Sequence, residues 1–518
     1  VPTCGLPLRI AQGRPLVKPP DLPGALSTDS IPSKEAHPMP KTTRRKFLKQ
    51  AAAGAAFPLV TIAGTKASGR VLGANDVIRV GVAGIHGQGN AHIDQYLGLK
   101  GAQVTYLIDP DRSLFASRGK KVRDKGGNEP RCVQDVRQAL EDKDLDVISV
   151  ATPNHWHSLI TVWACQAGKD VYVEKPLSHN VAEGRRCIEA ARKYGRIVQH
   201  GTQQRSSAGR ANEIAAVQSG KYGRLLVSKG YCCKPRWSIG RRENSSPPDD
   251  LDFNLWLGPA PAQPHHGNLV HYNWHWFWDF GNGDIGNQGV HEIDVARWAV
   301  KGATLPTRVW SLGGRFAYQD QGQTPNTQMA VFEYGDVLLV FEVRGLVGRH
   351  KEFPNRVGNE YYTEGGRIAD GRFYPAKDGK PEALARFDVR VAPGGPWGSF
   401  LRAVRSRQVA DCNADVEHGH YSSALCHLAN ISYRLGKKVP FNGKAKALGD
   451  NREVVETFMN LQQNLRGVGV RLEETTYQLG RVLTVDPGSE RFVGEGAEQA
   501  NALLTRSYRK PFAVPAQV

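Results

Sequence analysis

Long apolar runs are missing from this 518-residue chain. No stretch of about 18 uninterrupted apolar residues occurs, which excludes a polytopic membrane protein. There is no G-X-Y period and no low-complexity tract, so the 56 glycines and 31 prolines do not mark a collagen-like class. None of the eight cysteines forms C-x-x-C, and the neighbours Cys232 and Cys233 are poorly placed to bond to each other, so a zinc ribbon is not expected. Neither His265, His266, His271 and His275 nor His418, His420 and His427 show ligand spacing with cysteine or carboxylate partners, and no metal is expected. Acidic residues are the scarcer charge, 50 against 68 basic, for a net charge of +18. Beyond residue 69 the basic residues are scattered, without an RNP-like motif or a Lys/Arg run, so no nucleic acid is expected as a partner. Unclustered charge mostly sets solubility. With 40% apolar and 23% charged residues the chain has ordinary globular composition, and its length suggests roughly two to four domains.

Part of the basic excess is local. Residues 1–69 hold ten basic and three acidic residues. Within them Thr43-Arg44-Arg45-Lys46-Phe47-Leu48-Lys49 matches the twin-arginine export pattern S/T-R-R-x-F-L-K in every position. A mildly apolar run, residues 51–64, follows, too short to span as a mature helix, and a small-residue cleavage position lies near Ala67. Residues 39–69 are therefore expected to be a twin-arginine signal peptide, with the translocase as partner during export and a periplasmic or otherwise exported location. Such signals begin a few residues before their arginines, and Met39 supplies a natural start. Residues 1–38, proline-rich and patternless, are then expected to be a non-native upstream extension, with Val1 reflecting a valine-type start codon. Export would permit a cysteine pair to oxidise, without saying which.

From Asp76 the pattern changes. Residues 77–83 read as a short buried strand running into Gly84-Ile85-His86-Gly87-Gln88-Gly89 and a helix. Strand, glycine turn and helix N-terminus together make a pyrophosphate cradle, with backbone N–H groups and the helix dipole facing the anion. His86 stands where G-x-G-x-x-G has its second glycine. A second strand, 104–108, ends in Asp109, 20 residues beyond Gly89. A carboxylate there accepts both ribose hydroxyls and repels a 2′-phosphate, favouring NAD over NADP, although Arg112 stands nearby. The alternation continues through strands 147–150, 171–173 and 197–199, followed respectively by Thr152-Pro153-Asn154-His155-Trp156-His157, Glu174-Lys175-Pro176 and Gly201-Thr202-Gln203-Gln204-Arg205. Polar motifs at the carboxyl ends of successive parallel strands are where an open α/β sheet binds ligands.

The set G-I-H-G-Q-G, T-P-N-H-W-H, V-E-K-P and G-T-Q-Q-R, in this order, resembles the glucose–fructose oxidoreductase / inositol dehydrogenase (Gfo/Idh/MocA) family, from Asp76 to near the C-terminus. The resemblance implies an α/β Rossmann dinucleotide-binding domain followed by an α+β domain with an open, mostly antiparallel sheet and helices on one side. Runs such as 308–312 and 337–343 read as strands of a sheet buried on one face. The expected division is 76–200 for the NAD-binding domain, 201–445 for the substrate and oligomerisation domain, and 446–518 for a C-terminal segment packing on the second domain. Residues 281–294 resemble the family's substrate-site helix, and helical spacing puts Asn287, His291 and Asp294 on one face. Asn287 stands where many members have aspartate and cannot take a proton, so base work shifts to Lys175 and His291.

By resemblance, Lys175 hydrogen-bonds the reacting oxygen and His291 accepts or relays its proton. Glu174 orients the ribose and the lysine, while Thr152, Pro153, Asn154 and His157 border the nicotinamide. Gln203 reaches the carboxamide, and Arg205, Asn287, Asp294 and His420 face substrate. Trp274 and His275 lie in an aromatic-dense stretch that would make a carbohydrate platform or, equally, a core plug. The function implied is an NAD(P)-dependent oxidoreductase moving hydride between a ring hydroxyl of a sugar, cyclitol or glycoside and a nicotinamide. Exported with its nucleotide bound, such an enzyme would retain the cofactor through turnover. The related NAD-dependent redox-neutral glycosidases are an alternative, although they generally lack E-K-P, and a non-catalytic carbohydrate- or nucleotide-binding protein is a third. A homodimer or homotetramer is what the resemblance suggests.

Overall fold

The computed structural model describes residues 76–518, except 350, 378 and 442–447. The expected extension, twin-arginine signal, cleavage position near Ala67 and Cys4 lie outside the described residues. Among the described residues, no helix is long and apolar enough to cross a membrane, and all seven cysteines are free thiols.

The first sheet grows from strands apolar on both faces, as a parallel sheet sandwiched between helices requires. Its strands are β1 (Ile78–Ala83), β2 (Ala102–Ile108), β3 (Arg131–Val133), β4 (Val147–Val150), β5 (Asp170–Val173) and β6 (Val198–His200). They pair in parallel in the order β3-β2-β1-β4-β5-β6, the doubly wound Rossmann arrangement. Strand order reverses between β1 and β4, and there the ends of both strands splay to leave a crevice.

The second sheet is built around β7 (Leu225–Cys233), which pairs antiparallel with Arg356–Thr363 and parallel with Val337–Arg344. Every other pairing in it is antiparallel. Its helices do not keep to one side, however. Phe332, Leu339 and Phe341 pack under helices Gly289–Ala299 and Val416–Arg434, whereas Trp310, Val331 and Val340 pack against Phe458, Leu461 and Leu465 of helix Arg452–Gly467. The run 337–343 is apolar at both parities, so leaving either face to water would expose a row of large side chains.

Sequence order and spatial order also part company. Trp397, Phe400 and Val404 of helix Gly395–Ser406 complete the core on one face of the first sheet, with Trp397 stacked 4.1 Å from Tyr172. Phe512 and Val514, near the end of the C-terminal segment, return to its other face, where Phe512 meets Trp156 edge-on at 5.4 Å. Residues 448–518 therefore pack on the first sheet as well as on the second.

Candidate functional site

A cavity of about 370 Å³ opens at the carboxyl ends of β1, β2, β4 and β5. Gly84 and Gly89 are required there for steric reasons. Gly84 has φ +79°, and a Cβ on it would stand 2.6 Å from the Thr152 backbone nitrogen; a Cβ on Gly89 would fall on the Gly84 carbonyl oxygen. Gly87 is different: a Cβ there meets no protein atom within 4 Å, and the residue lines the cavity. Its bareness leaves room for something other than protein. Helix Gly87–Leu97 begins with no side-chain cap and no acidic residue in its first turn, so its N–H groups are open to an anion. His86 has a negative φ and needs no glycine. Its ring stacks flat on His271, 4.3 Å between centroids.

Asp109 closes one end of the cavity. Its Oδ2 accepts from the Ile85 N–H at 2.8 Å and its Oδ1 from the Asp111 N–H at 2.9 Å, leaving one lone pair on each oxygen. Burial pushes its pKa up to about 6 despite those two N–H donors. Arg112 does not line this end; its Nε donates to Asp250 at 2.7 Å on the exposed surface.

At the other end, Glu174 and Lys175 leave β5. Glu174 Oε1 accepts from Gln88 Nε2 at 2.9 Å and, more weakly, from Gln203 Nε2 at 3.4 Å, and it meets His92 Nε2 at 3.2 Å. Burial works to raise this carboxyl, but the His92 bond and the nearby Lys175 charge outweigh it and hold it well below the usual range. Lys175 Nζ donates to the Asn287 carbonyl at 3.0 Å and lies 3.5 Å from Asn287 Oδ1. Burial lowers the Lys175 pKa, while the Glu174, Asp284 and Glu292 charges pull it back up. Thr152, Pro153, Asn154 and His157 line the same cavity. His157 sits between two carbonyls, 2.6 Å from that of Pro176 and 2.7 Å from that of Thr152.

Trp274, His275 and Asn287 also line the cavity, and Trp274 stacks on His275 at 3.6 Å. His275 has its Nδ1 on the Tyr272 carbonyl, and burial drops its pKa to about 3. His291 lies behind this lining, its pKa lowered to about 4 by burial and by Lys175, so it is a neutral imidazole. The expected single helix face is interrupted, because one helix ends at Asn287 and another starts at Gly289.

Three residues expected at substrate are elsewhere. Arg205 forms a bidentate, fully buried ion pair with Asp294, 2.9–3.0 Å, and Asp294 also accepts from Ser422 Oγ at 2.6 Å. Arg205 and Asp294 thus hold each other, and neither lines this cavity. His420, wholly buried, has its Nε2 3.0 Å from Glu490 and lies outside the cavity lining.

Sequence reasoning overlooked His92, whose Nδ1 lies 2.9 Å from Ser149 Oγ while Nε2 engages Glu174. It also overlooked an arm, residues 249–276, that forms the outer wall through Leu255, Trp256, His271 and Tyr272. The arm is tied to the end of β2 by an Asp111–Leu251 bridge, by the Asp252 N–H to the Pro110 carbonyl at 2.9 Å, and by His271 Nε2 to Asp111 at 2.9 Å. The only trace of this in the sequence is the density of aromatic and histidine residues. Among the described residues, no cluster of histidine, cysteine or carboxylate groups could hold a metal ion.

Two family models match, an oxidoreductase family NAD-binding Rossmann fold over residues 78–202 and the same family's C-terminal alpha/beta domain over 223–467. The chain belongs to the Gfo/Idh/MocA oxidoreductase family. Its relatives include a glycosyl hydrolase family 109 protein of Shewanella pealeana, 25% identical over 38% of this chain and 48% of the relative. An inositol 2-dehydrogenase of Salmonella paratyphi B is 30% identical over 30% of this chain and 45% of its own length. The chain thus spans about half the length of the curated relatives it matches. Among solved structures, a levoglucosan dehydrogenase in complex with NADH shares the fold, with a TM-score of 0.50 at 17% identity over 68% of this chain and 95% of that one.

Proposed function

We propose that the protein is an NAD-dependent oxidoreductase acting on a ring hydroxyl of a sugar, cyclitol or glycoside. The observation that carries this reading is the placement of Lys175, a half-buried lysine with a depressed pKa, on the wall of a cavity whose far end is a glycine cradle and an ionisable ribose acceptor. The residues present fit a dinucleotide. Gly87 and the uncapped helix would face the pyrophosphate, Asp109 the adenosine ribose, and Glu174 the second ribose. A bound nicotinamide would supply a site that takes up or returns hydride. Lys175 holds the substrate oxygen and takes its proton; lowering its pKa raises the fraction of free amine near neutral pH. Neutral His291 relays that proton, taking it on one ring nitrogen as it gives up a proton from the other, and Asn287 orients the oxygen without titrating. Trp274 offers a ring face to the sugar.

Two features support NAD over NADP and a retained cofactor. Asp109 would repel a 2′-phosphate, and Arg112 is turned to Asp250. The arm covers the cavity with backbone and side-chain ties to the dinucleotide half. Retention in turn fits export of a loaded enzyme by the twin-arginine route to the periplasm, with 39–69 as leader. The division at 76–200 and 201–445, and assembly as a homodimer or homotetramer, belong to the same proposal.

A second reading is a redox-neutral glycosidase, in which a transient keto group acidifies the neighbouring C–H and lets the glycosidic substituent leave. The relatives named glycosyl hydrolase family 109 proteins favour it; the Glu174-Lys175-Pro176 motif favours the dehydrogenase. Purified protein is to be incubated with sugars, inositols and nitrophenyl glycosides. Reduction of the bound NAD by free sugars or cyclitols is expected, with turnover continuing when a second, carbonyl substrate takes the hydride back. Aglycone release without net NADH would replace this reading with the glycosidase, and NAD binding with turnover in neither assay would leave a binding protein.

A further inference from the structure

A second cavity, of about 150 Å³, lies behind the first and is lined in part by His179, Trp278, Asp279, His427, Arg434 and Arg506. Its polar groups are unbalanced. Arg506 uses one NH1 to donate to the Asp279 carbonyl at 2.8 Å and to meet His179 Nδ1 at 3.3 Å, but its buried Nε and NH2 have no acceptor. Burial and the Arg506 charge keep His179 neutral. Because Nδ1 faces a guanidinium donor, the ring proton sits on Nε2, which is buried and turned to the Trp278 backbone. Arg434 stands over the Trp278 ring at 5.3 Å and makes no side-chain hydrogen bond among the described residues.

The acceptors around the cavity are largely taken. Asp279, the one carboxylate on its lining, accepts from Gln263 Nε2 at 3.3 Å and faces Arg434. Glu183 behind it accepts from the His179 N–H, Asn180 Nδ2 and Tyr508 OH. His427 bonds Ser178 through Nε2 and faces Asn282 through Nδ1. Two guanidiniums face one carboxylate on the lining, with buried Glu183 behind Arg506 as a second, and the orphaned atoms, Arg506 Nε and NH2, are both donors. Buried donors without acceptors are costly and rare in a settled interior.

We propose that this cavity binds an oxyanion, the carboxylate or phosphate group of a small molecule, between Arg506, His179 and Arg434. It is a site apart from the dinucleotide cavity but shares a wall with it. Asn154 lines the first cavity and donates through Nδ2 to Asn282 Oδ1 at 3.2 Å, and Asn282 lines the second. The volume admits an inorganic anion or a group about the size of one sugar ring.

The test is calorimetric titration of full-length, NAD-saturated protein, so that the pyrophosphate cradle is filled, with inorganic phosphate and separately with glucuronate. One saturable site per chain is expected for at least one of them, and which one binds identifies the carrier of the charge. Removing a charged hydrogen-bonding partner should weaken binding roughly ten-fold or more in Arg506→Gln. Arg434→Gln, at a side chain without hydrogen bonds, should weaken it several-fold while leaving fold and NAD affinity as in the wild type. Saturable binding of neither probe, or affinity unchanged in both variants, would overturn the proposal.

Discussion

The two walls of the dinucleotide cavity are made in different ways. The inner wall, from β1, β2, β4 and β5, is specified mainly by backbone: glycines that admit no side chain, N–H groups at a helix start, and strand ends that deliver Asp109, Glu174 and Lys175. The outer wall is specified by side chains on the arm 249–276, among them Trp256, His271, Tyr272 and Trp274, held in place by contacts far apart in sequence. Backbone geometry is exacting at single positions and indifferent to the rest, so the inner wall should break abruptly and the outer wall by degrees.

The sharpest break should come from the glycines. Gly84→Ala puts a side chain at φ +79° and into the Thr152 backbone, so both thermal stability and NAD binding should be lost. Gly87→Ala meets no protein atom. Its Tm should match the wild type, while its NAD affinity, by fluorescence titration, should fall at least ten-fold. An unchanged affinity in Gly87→Ala would mean that no pyrophosphate lies against this loop.

Next in size is Lys175→Met, which keeps an apolar stem and removes the amine. Turnover should drop about a hundred- to ten-thousand-fold, the range for loss of a positioned acid–base group, with NAD affinity nearly unchanged. In the wild type, oxidation should speed up as pH rises through the lowered Lys175 pKa, because free amine is the acceptor. Lys175→Met should flatten that limb of the profile.

The difference between the walls also explains how much of the site is legible in the sequence. Gly84, Gly89, Asp109 and Glu174-Lys175 could be read because each follows from short spacing along a strand–turn–helix unit. The pairing of Arg205 with Asp294 could not be read because the two lie 89 residues apart, nor that of His420 with Glu490, 70 residues on. Charge alone looks the same in a sequence whether it is satisfied or not. His92 was invisible for the same reason: its role rests on Ser149 and Glu174, both brought by other strands. The second face of the antiparallel sheet was misjudged because the helix that covers it, Arg452–Gly467, comes more than a hundred residues after the strands it shields.

A smaller effect should come from Asp109. Its raised pKa places its ionisation near pH 6, and the carboxylate is the better acceptor for ribose hydroxyls. NAD affinity should therefore fall as pH drops through about 6, by roughly ten-fold for loss of a charged hydrogen bond. Asp109→Asn should bind weakly at every pH with that step gone. A step that survives the substitution would belong to His271 beside the loop, whose pKa burial lowers.

The mildest test addresses the tie between the walls and the choice of nucleotide. Arg112 and Asp250 are both half exposed, and exposed pairs hold little. Asp250→Ala should leave fold and turnover intact while freeing the guanidinium to turn toward the ribose end. NADP affinity should then rise a few-fold relative to NAD, and bound NAD should dissociate somewhat faster, since one tie of the arm is cut. Asp109 still repels a 2′-phosphate in this variant, so the preference should narrow without reversing. If the NAD-to-NADP ratio does not move, Arg112 has no part in the preference and Asp109 sets it alone. If the ratio moves but the dissociation rate does not, the arm is held by its backbone bridge and the His271–Asp111 contact, and the exposed ion pair is only a resting place for Arg112.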